Sequence, residues 1–145
     1  MRYLCLDVGD ARIGVARSDE TATLASGLET IRRVGPKKDL KAVAALISAD
    51  DIAEVVVGLP RRLDGELGPQ ALKVLAFIED LKRVVAVPVV AWDERFTTAL
   101  AQQALIEGEL SRKARKAVVD KVSAILILQS YLDSLKVASA RPSSA

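Results

Sequence analysis

Arg2-Tyr-Leu-Cys-Leu-Asp-Val-Gly9, then Asp10-Ala11, then Arg12-Ile-Gly-Val-Ala-Arg17, is the stretch that decides how this chain is read. Two apolar runs joined by a short Gly-Asp-Ala connection make an antiparallel strand pair at the start of the chain. Asp7 stands near the end of the first strand, among apolar neighbours. A lone charge buried in a strand costs several kcal/mol unless something pairs with it. The rest of the sequence is therefore read for groups that can meet Asp7.

After Ser18-Asp19, the segment Thr23–Ile31 reads as a third strand, with Gly9, Gly14 and Gly27 where turns or close backbone approach are needed. Gly35-Pro36 opens a helix, Pro36 near its first position, with Leu40, Val43, Ala44, Leu46 and Ile47 as its apolar stripe. Asp50-Asp51 ends it. Glu54-Val-Val-Val-Gly-Leu59 is a compact strand of the kind buried on both faces. A loop from Pro60 to Gly68 carries Arg61, Arg62, Asp64 and Gly65, and Pro69 opens a second helix. Val87–Trp92 is another buried strand, ending at Asp93-Glu94-Arg95; Thr97 or Thr98 caps a helix running to about Gly108. The basic stretch 111–117 leads into a long apolar helix, Val118 to Leu135.

This order predicts an α/β fold with a mixed five-stranded sheet. The first three strands are antiparallel, and right-handed crossovers set the fourth and fifth parallel to the first. Helices cover both faces. Residues 1–136 are expected to form one domain, and 137–145 a disordered tail.

At 145 residues, 50% hydrophobic and 28% charged, the chain has the composition of one globular domain. No apolar run approaches the roughly 20 residues of a membrane span. Met1-Arg2 leads straight into a strand, so no signal peptide is expected and a cytoplasmic location is. The single cysteine, Cys5, allows no internal disulfide. There is no histidine, which excludes His-ligated zinc and Ser-His-Asp triads. Net charge is only +2, but basic residues cluster at Arg32, Arg33, Lys37, Lys38 and Lys41, at Arg61 and Arg62, and at Arg112, Lys113, Arg115, Lys116 and Lys121. Such clusters suit polyanions or form a solvated face. Aromatics make up 3% of the chain, too few for a platform that stacks bases.

Three acidic positions end or open elements that converge in this topology: Asp7, Asp93-Glu94 and Asp120. Sites gather at the carboxyl ends of parallel strands. Oxygen-only ligands suit Mg²⁺ or Mn²⁺ rather than zinc. Two such ions about 3.5–4 Å apart activate water and stabilise the leaving oxygen of a phosphodiester. Asp120 equally suits a helix N-terminus, and Glu94 an ion pair with Arg95 or another cation. Asp7 has no such ready alternative.

Asp7-x-Gly9-x-x-Arg12-Ile13-Gly14-x-Ala16-x-Ser18-Asp19 resembles the opening motif of the YqgF/RuvX family. Val56-Val57-Gly58-Leu59-Pro60 with Gly65, Asp93-Glu94-Arg95-x-Thr97-Thr98, and Asp120 with Ser123-Ala124-Ile125-Leu126 are similar to its next three motifs, in order. The resemblance spans residues 2–135. It implies an RNase H-like fold and a metal-dependent nuclease related to RuvC-type Holliday junction resolvases, with Asp7, Glu94 and Asp120 as metal-binding catalytic carboxylates. It further implies 5′-end processing of pre-16S rRNA, or resolution of four-way DNA junctions. A resolvase cuts two strands symmetrically, which favours a homodimer. RuvC-type enzymes carry another aspartate where this chain has Ser123, which keeps a non-catalytic nucleic-acid or ribosome-associated factor as a further alternative.

Arg12 and Arg95 are candidates to neutralise the carboxylates or hold a phosphate, or to form structural ion pairs. Arg61 and Arg62, then Lys113, Arg115 and Lys116, are candidate phosphate contacts. Gly9 and Gly58 permit close backbone approach, and Thr97 and Ser123 are supporting polar groups. Trp92 reads as core. An actin-like ATPase also starts with an Asp-x-Gly strand pair, but binds nucleotide between duplicated domains, and this chain is long enough for one.

Overall fold

A computed structural model describes the backbone of residues 1–62, 64–94 and 112–140, and side chains within 1–62, 64–94 and 122–136. In chain order the elements are β1 (Arg2–Val8), β2 (Arg12–Ser18), β3 (Ala25–Gly27), β4 (Ile31–Arg32), α1 (Pro36–Ala49), β5 (Ile52–Leu59), α2 (Pro69–Val84), β6 (Val89–Asp93) and α3 (Arg112–Ala140). The sheet runs β3-β2-β1-β5-β6, with β4 also on β2. β1 is antiparallel to β2 and parallel to β5, and β5 is parallel to β6. The α/β class, the mixed sheet and the central place of β1 and β5 follow the sequence reading.

The third strand differs. Instead of one strand over Thr23–Ile31, β3 and β4 are two short pieces on β2. Ile13 pairs with Ile31 and Ala16 with Gly27, so two residues of β2 face three of the returning chain. Leu28 spans the irregularity, donating its N–H to the Val15 carbonyl oxygen at 2.8 Å. One extra residue in an edge strand is a bulge, and it interrupts the ladder. Among the described residues the sheet therefore has six strands rather than five.

Period-two alternation sorts each central strand onto two faces. Leu4, Leu6 and Val8 of β1 join Val55, Val57 and Leu59 of β5 in a core closed by Val43 and Ile47 of α1 and Ala71, Val74, Ile78 and Leu81 of α2. Tyr3 and Cys5 of β1 and Val56 of β5 pack on the other face against Ala124, Ile127, Leu128 and Leu132 of α3. Both α1 and α2 begin with Gly-Pro, whose fixed φ and missing N–H suit a first helical turn. The basic stretch expected to precede the last helix is its first turns, since α3 begins at Arg112. The same helix runs on to Ala140, into the segment expected to be a disordered tail. The helix expected after Thr97 lies outside the described residues. Among the described residues no helix is long and apolar enough to cross a membrane.

Candidate active site

Three neighbouring strands bring their carboxyl ends to one edge: β1 at Val8, β5 at Leu59 and β6 at Asp93. Asp7 falls in the row of Tyr3 and Cys5, so it faces α3. Gly58 falls in the row of Val56. Val90 and Trp92 pack with the α3 cluster, and Glu94 follows them one step on. The pairing of Leu6 with Val57 and Gly58 with Trp92 sets Gly58 between the two acids. A Cβ on Gly58 would lie 2.6 Å from Glu94 Oε1 and 2.7 Å from Ile127 Cδ1. Gly58 is thus a gap in the sheet's side-chain layer, and the Glu94 carboxyl fills it under α3.

Glu94 and Asp7 are hydrogen-bonded to each other. Burial raises the Asp7 carboxyl above the ordinary range, and the bond from Glu94 partly opposes it. Burial, the hydrogen bond to Asp7, and the charges of Asp7 and Asp93 push Glu94 up to about 9. The two bond effects have opposite sign, which fits a protonated Glu94 donating to an ionised Asp7. Near neutral pH Glu94 therefore keeps its proton. Below them Cys5 is fully buried; burial first, then the charges of Asp7 and Glu94, push its thiol up, so it stays protonated. Only oxygen donors face the edge from this pair.

Helix α3 runs antiparallel to β5 across this face. Tyr131 donates its hydroxyl to Glu54 Oε1 at 2.6 Å near the start of β5, while Ile127 lies over Gly58 near its end. Asp120 is two turns before Ile127, in the direction of the site edge; its side chain lies outside the described residues. Ser123 is partly buried, one turn before Ile127. Trp92 packs edge-on against Tyr131 and donates Nε1–H to Ser130 Oγ at 3.3 Å, so it is part of the α3 interface, as the sequence predicts. Among the described residues no three His, Cys, Asp or Glu side chains are grouped to hold a metal. What is described of the proposed triad is the Asp7–Glu94 pair.

The basic candidates divide. Arg12 opens β2 at the same sheet edge and on the Asp7 face. Arg61 and Arg62 are exposed in the loop after β5. That loop is tied by Arg62 N–H to the Glu66 carbonyl (3.0 Å) and Gly65 N–H to the Arg62 carbonyl (2.8 Å), with Gly65 at φ 88°. Arg95, Thr97 and the side chains of Lys113, Arg115 and Lys116 lie outside the described residues. Gly9 closes the turn after β1, donating N–H to the Arg12 carbonyl at 2.8 Å; a Cβ there would sit 3.0 Å from that oxygen.

Sequence reasoning missed Arg33 and Asp39. Arg33 was grouped with a polyanion-binding or solvated cluster, yet its guanidinium turns inward, 3.1 Å from Asp39 Oδ2 and over the Phe77 ring. Asp39 is 2% exposed. The available signal was its position, three residues past Pro36 in a first helical turn, where a carboxylate captures free N–H groups.

A mixed sheet of this order, with a long helix across one face, is an RNase H-like fold. RuvC of Thermus thermophilus, solved with a Holliday junction substrate, superposes with a TM-score of 0.61 at 16% identity, covering 98% of this chain and 99% of that one. The fowlpox virus Holliday junction resolvase gives 0.57 at 16% identity, covering 93% and 99%. At such identities the likeness establishes the fold. The chain belongs to the RuvX family: the family's sequence model, described as a Holliday junction resolvase, matches residues 1–134. Relatives named for a pre-16S rRNA nuclease are 50% identical in Thermoanaerobacter pseudethanolicus and 52% in Caldanaerobacter subterraneus subsp. tengcongensis, each covering 94% of this chain and 99% of the relative.

Proposed function

We propose that the chain is an Mg²⁺- or Mn²⁺-dependent endonuclease that hydrolyses phosphodiesters in structured nucleic acid, acting at the 5′ end of pre-16S rRNA. The observation that carries this is the half-buried Asp7–Glu94 carboxyl pair, hydrogen-bonded beside Gly58. Two carboxyls pressed together and partly shielded from water are costly as anions and favourable as ligands of a hard cation. Asp7, Glu94 and Asp120 would hold the cations, two of them with substrate bound. The bound metal would supply Lewis acidity that activates water and offsets charge on the phosphate.

The residues themselves do the rest. With a cation held there, Glu94 would be ionised, so that both carboxylates could serve as ligands. Gly58 keeps the space in which Glu94 sits. Arg12, on the Asp7 face at the same sheet edge, and Arg95, next to Glu94 in sequence, would orient a scissile phosphate; Arg61, Arg62, Lys113, Arg115 and Lys116 would hold neighbouring phosphates without reading sequence. Ser123, placed where an additional acid would stand, offers a hydroxyl but no charge. Gly9 keeps the turn after Asp7 tight, and Thr97 stays a candidate supporting polar group by sequence alone. Residues 1–136 form the nuclease domain, working in the cytoplasm.

A second reading, resolution of four-way DNA junctions by a homodimer, is favoured by the family's description and by the shared fold with resolvases. Purified protein with Mn²⁺ is offered a 5′-extended ribosomal RNA precursor and a four-way DNA junction. Cleavage of the precursor with the junction intact is the expected result. Paired symmetric cuts in the junction alone would move the assignment to the second reading. No cleavage of either, with no binding of Mn²⁺, would leave a non-catalytic nucleic-acid-binding factor.

A further inference from the structure

The turn that follows Asp7 is pinned from outside its own strands. Arg33 Nη1 donates to the Gly9 carbonyl oxygen at 2.9 Å, and the Arg33 backbone N–H donates to the Ala11 carbonyl at 2.9 Å. From α2, Gln70 Nε2 reaches the Val8 carbonyl at 3.4 Å. The Arg33 side chain is itself fixed: Nε donates to Asp39 Oδ2 at 3.1 Å, and the guanidinium lies 5.7 Å above the Phe77 ring. Asp39 in turn accepts the N–H groups of Val34 (3.0 Å) and Gly35 (3.4 Å) through Oδ1. One guanidinium thus joins a buried carboxylate at the start of α1 to a carbonyl two residues beyond Asp7.

Building on the nuclease reading, we propose that Arg33, locked by Asp39, is a positioning residue: it sets the Gly9–Ala11 turn and thereby the direction of the Asp7 carboxylate. The fork geometry matters, because it lets one cation bond Asp39 and Gly9 at once. Misplacing a reacting group by about 1 Å can cost about 100-fold in rate.

The test compares three full-length variants. Arg33→Met keeps an apolar stem on Phe77 and loses the fork. Arg33→Lys keeps a cation beside Asp39 but cannot bond both partners. Arg17→Met breaks the 2.7 Å Arg17–Asp50 pair at the opposite end of the sheet and serves as the stability control. Four quantities are measured below each melting range: hydrogen exchange of the Gly9, Leu4 and Leu6 amides, Mn²⁺ affinity, substrate affinity, and single-turnover cleavage at saturating Mn²⁺ and substrate. Both Arg33 variants should exchange Gly9 at least about tenfold faster than wild type, with the amides of Leu4 and Leu6 unchanged. Their cleavage rate should fall about 10- to 100-fold, with substrate affinity within twofold. Arg17→Met should melt earlier and change neither. The proposal is overturned if both Arg33 variants cleave within twofold of wild type, whatever the exchange, or if Arg17→Met slows cleavage as much. Should Arg33→Met fail to fold, Arg33→Lys decides. If wild type cleaves neither substrate, the nuclease reading fails on its own, and the positioning role is judged by Gly9 exchange together with a tenfold loss of Mn²⁺ affinity.

Discussion

Two acids on opposite faces of the same sheet, Asp39 buried and Glu94 half-buried, are treated in opposite ways. Asp39, at the start of α1, is raised by burial, but the N–H of Val34, the Arg33 guanidinium and the N–H of Gly35 outweigh that and hold it below the ordinary range. Glu94, at the end of β6, is raised by burial and raised again by its bond to Asp7 and the charges around it, to about 9. One carboxylate is fully supplied with donors and serves the fold. The other faces a second carboxyl, an arrangement that a cation relieves. Burial alone does not separate structural from functional acids; the identity of the neighbours does.

Four substitutions or conditions probe that contrast, and the largest effect belongs to the functional side. Asp7→Asn should lower cleavage by at least about 10³-fold, the several kcal/mol a cation site contributes. It should leave the melting temperature at neutral pH unchanged or higher, because a half-buried acid beside a second carboxyl is replaced by a neutral amide. A variant that cleaves at more than a tenth of the wild-type rate would break the contrast.

Gly58→Ala comes next. Its methyl group needs the space of the Glu94 carboxyl and the Ile127 tip. Overpacking of this kind costs about 1–3 kcal/mol, read by urea denaturation. Cleavage should drop further than stability alone explains, by about 100-fold, since Glu94 must move.

Asp39→Asn should act in the other direction from Asp7→Asn. Leaving Arg33 and two N–H groups without their carboxylate should lower unfolding free energy by about 1–3 kcal/mol. Equal stability of Asp39→Asn and wild type would show that the α1 acid is not the structural counterpart described here.

The alkaline limb of the stability curve carries the smallest effect. Glu94 has a folded value above its unfolded one, so between pH 4.5 and about 9 the folded state binds more protons than the unfolded. Metal-free stability therefore falls as pH rises through that window. Asp39 has the reverse sign: its contribution is present above 3.8 and is lost as pH falls through its lower folded value. Glu94→Gln should flatten the alkaline limb and leave the acid limb in place, measured by denaturation across pH without divalent ions.

Much of the functional side was legible in the sequence. A charge inside the apolar run of β1, a glycine inside the apolar run of β5, and an acid just past β6 are each anomalies in a strand, and anomalies stand out against period-two patterning. Topology then brings them together, because parallel strands end on the same edge. The structural side was not legible. Asp39 looks like an ordinary first-turn acid on an amphipathic helix, and Arg33 like one more surface cation. Only the fold of α1 against the turn after β1 turns them inward. The break between β3 and β4 was hidden for a related reason: the extra residue between Ala25–Gly27 and Ile31–Arg32 appears only in the register with β2.

The central claim is that the Asp7–Glu94 pair is a hydrogen-bonded cation site, and calorimetric titration with Mn²⁺ in buffers of different ionisation enthalpy tests it directly. At pH 7.5 the wild-type chain should bind Mn²⁺ with release of about one proton, and Glu94→Gln should release none. Binding of Mn²⁺ to wild type without proton release, or no binding at all, would contradict it.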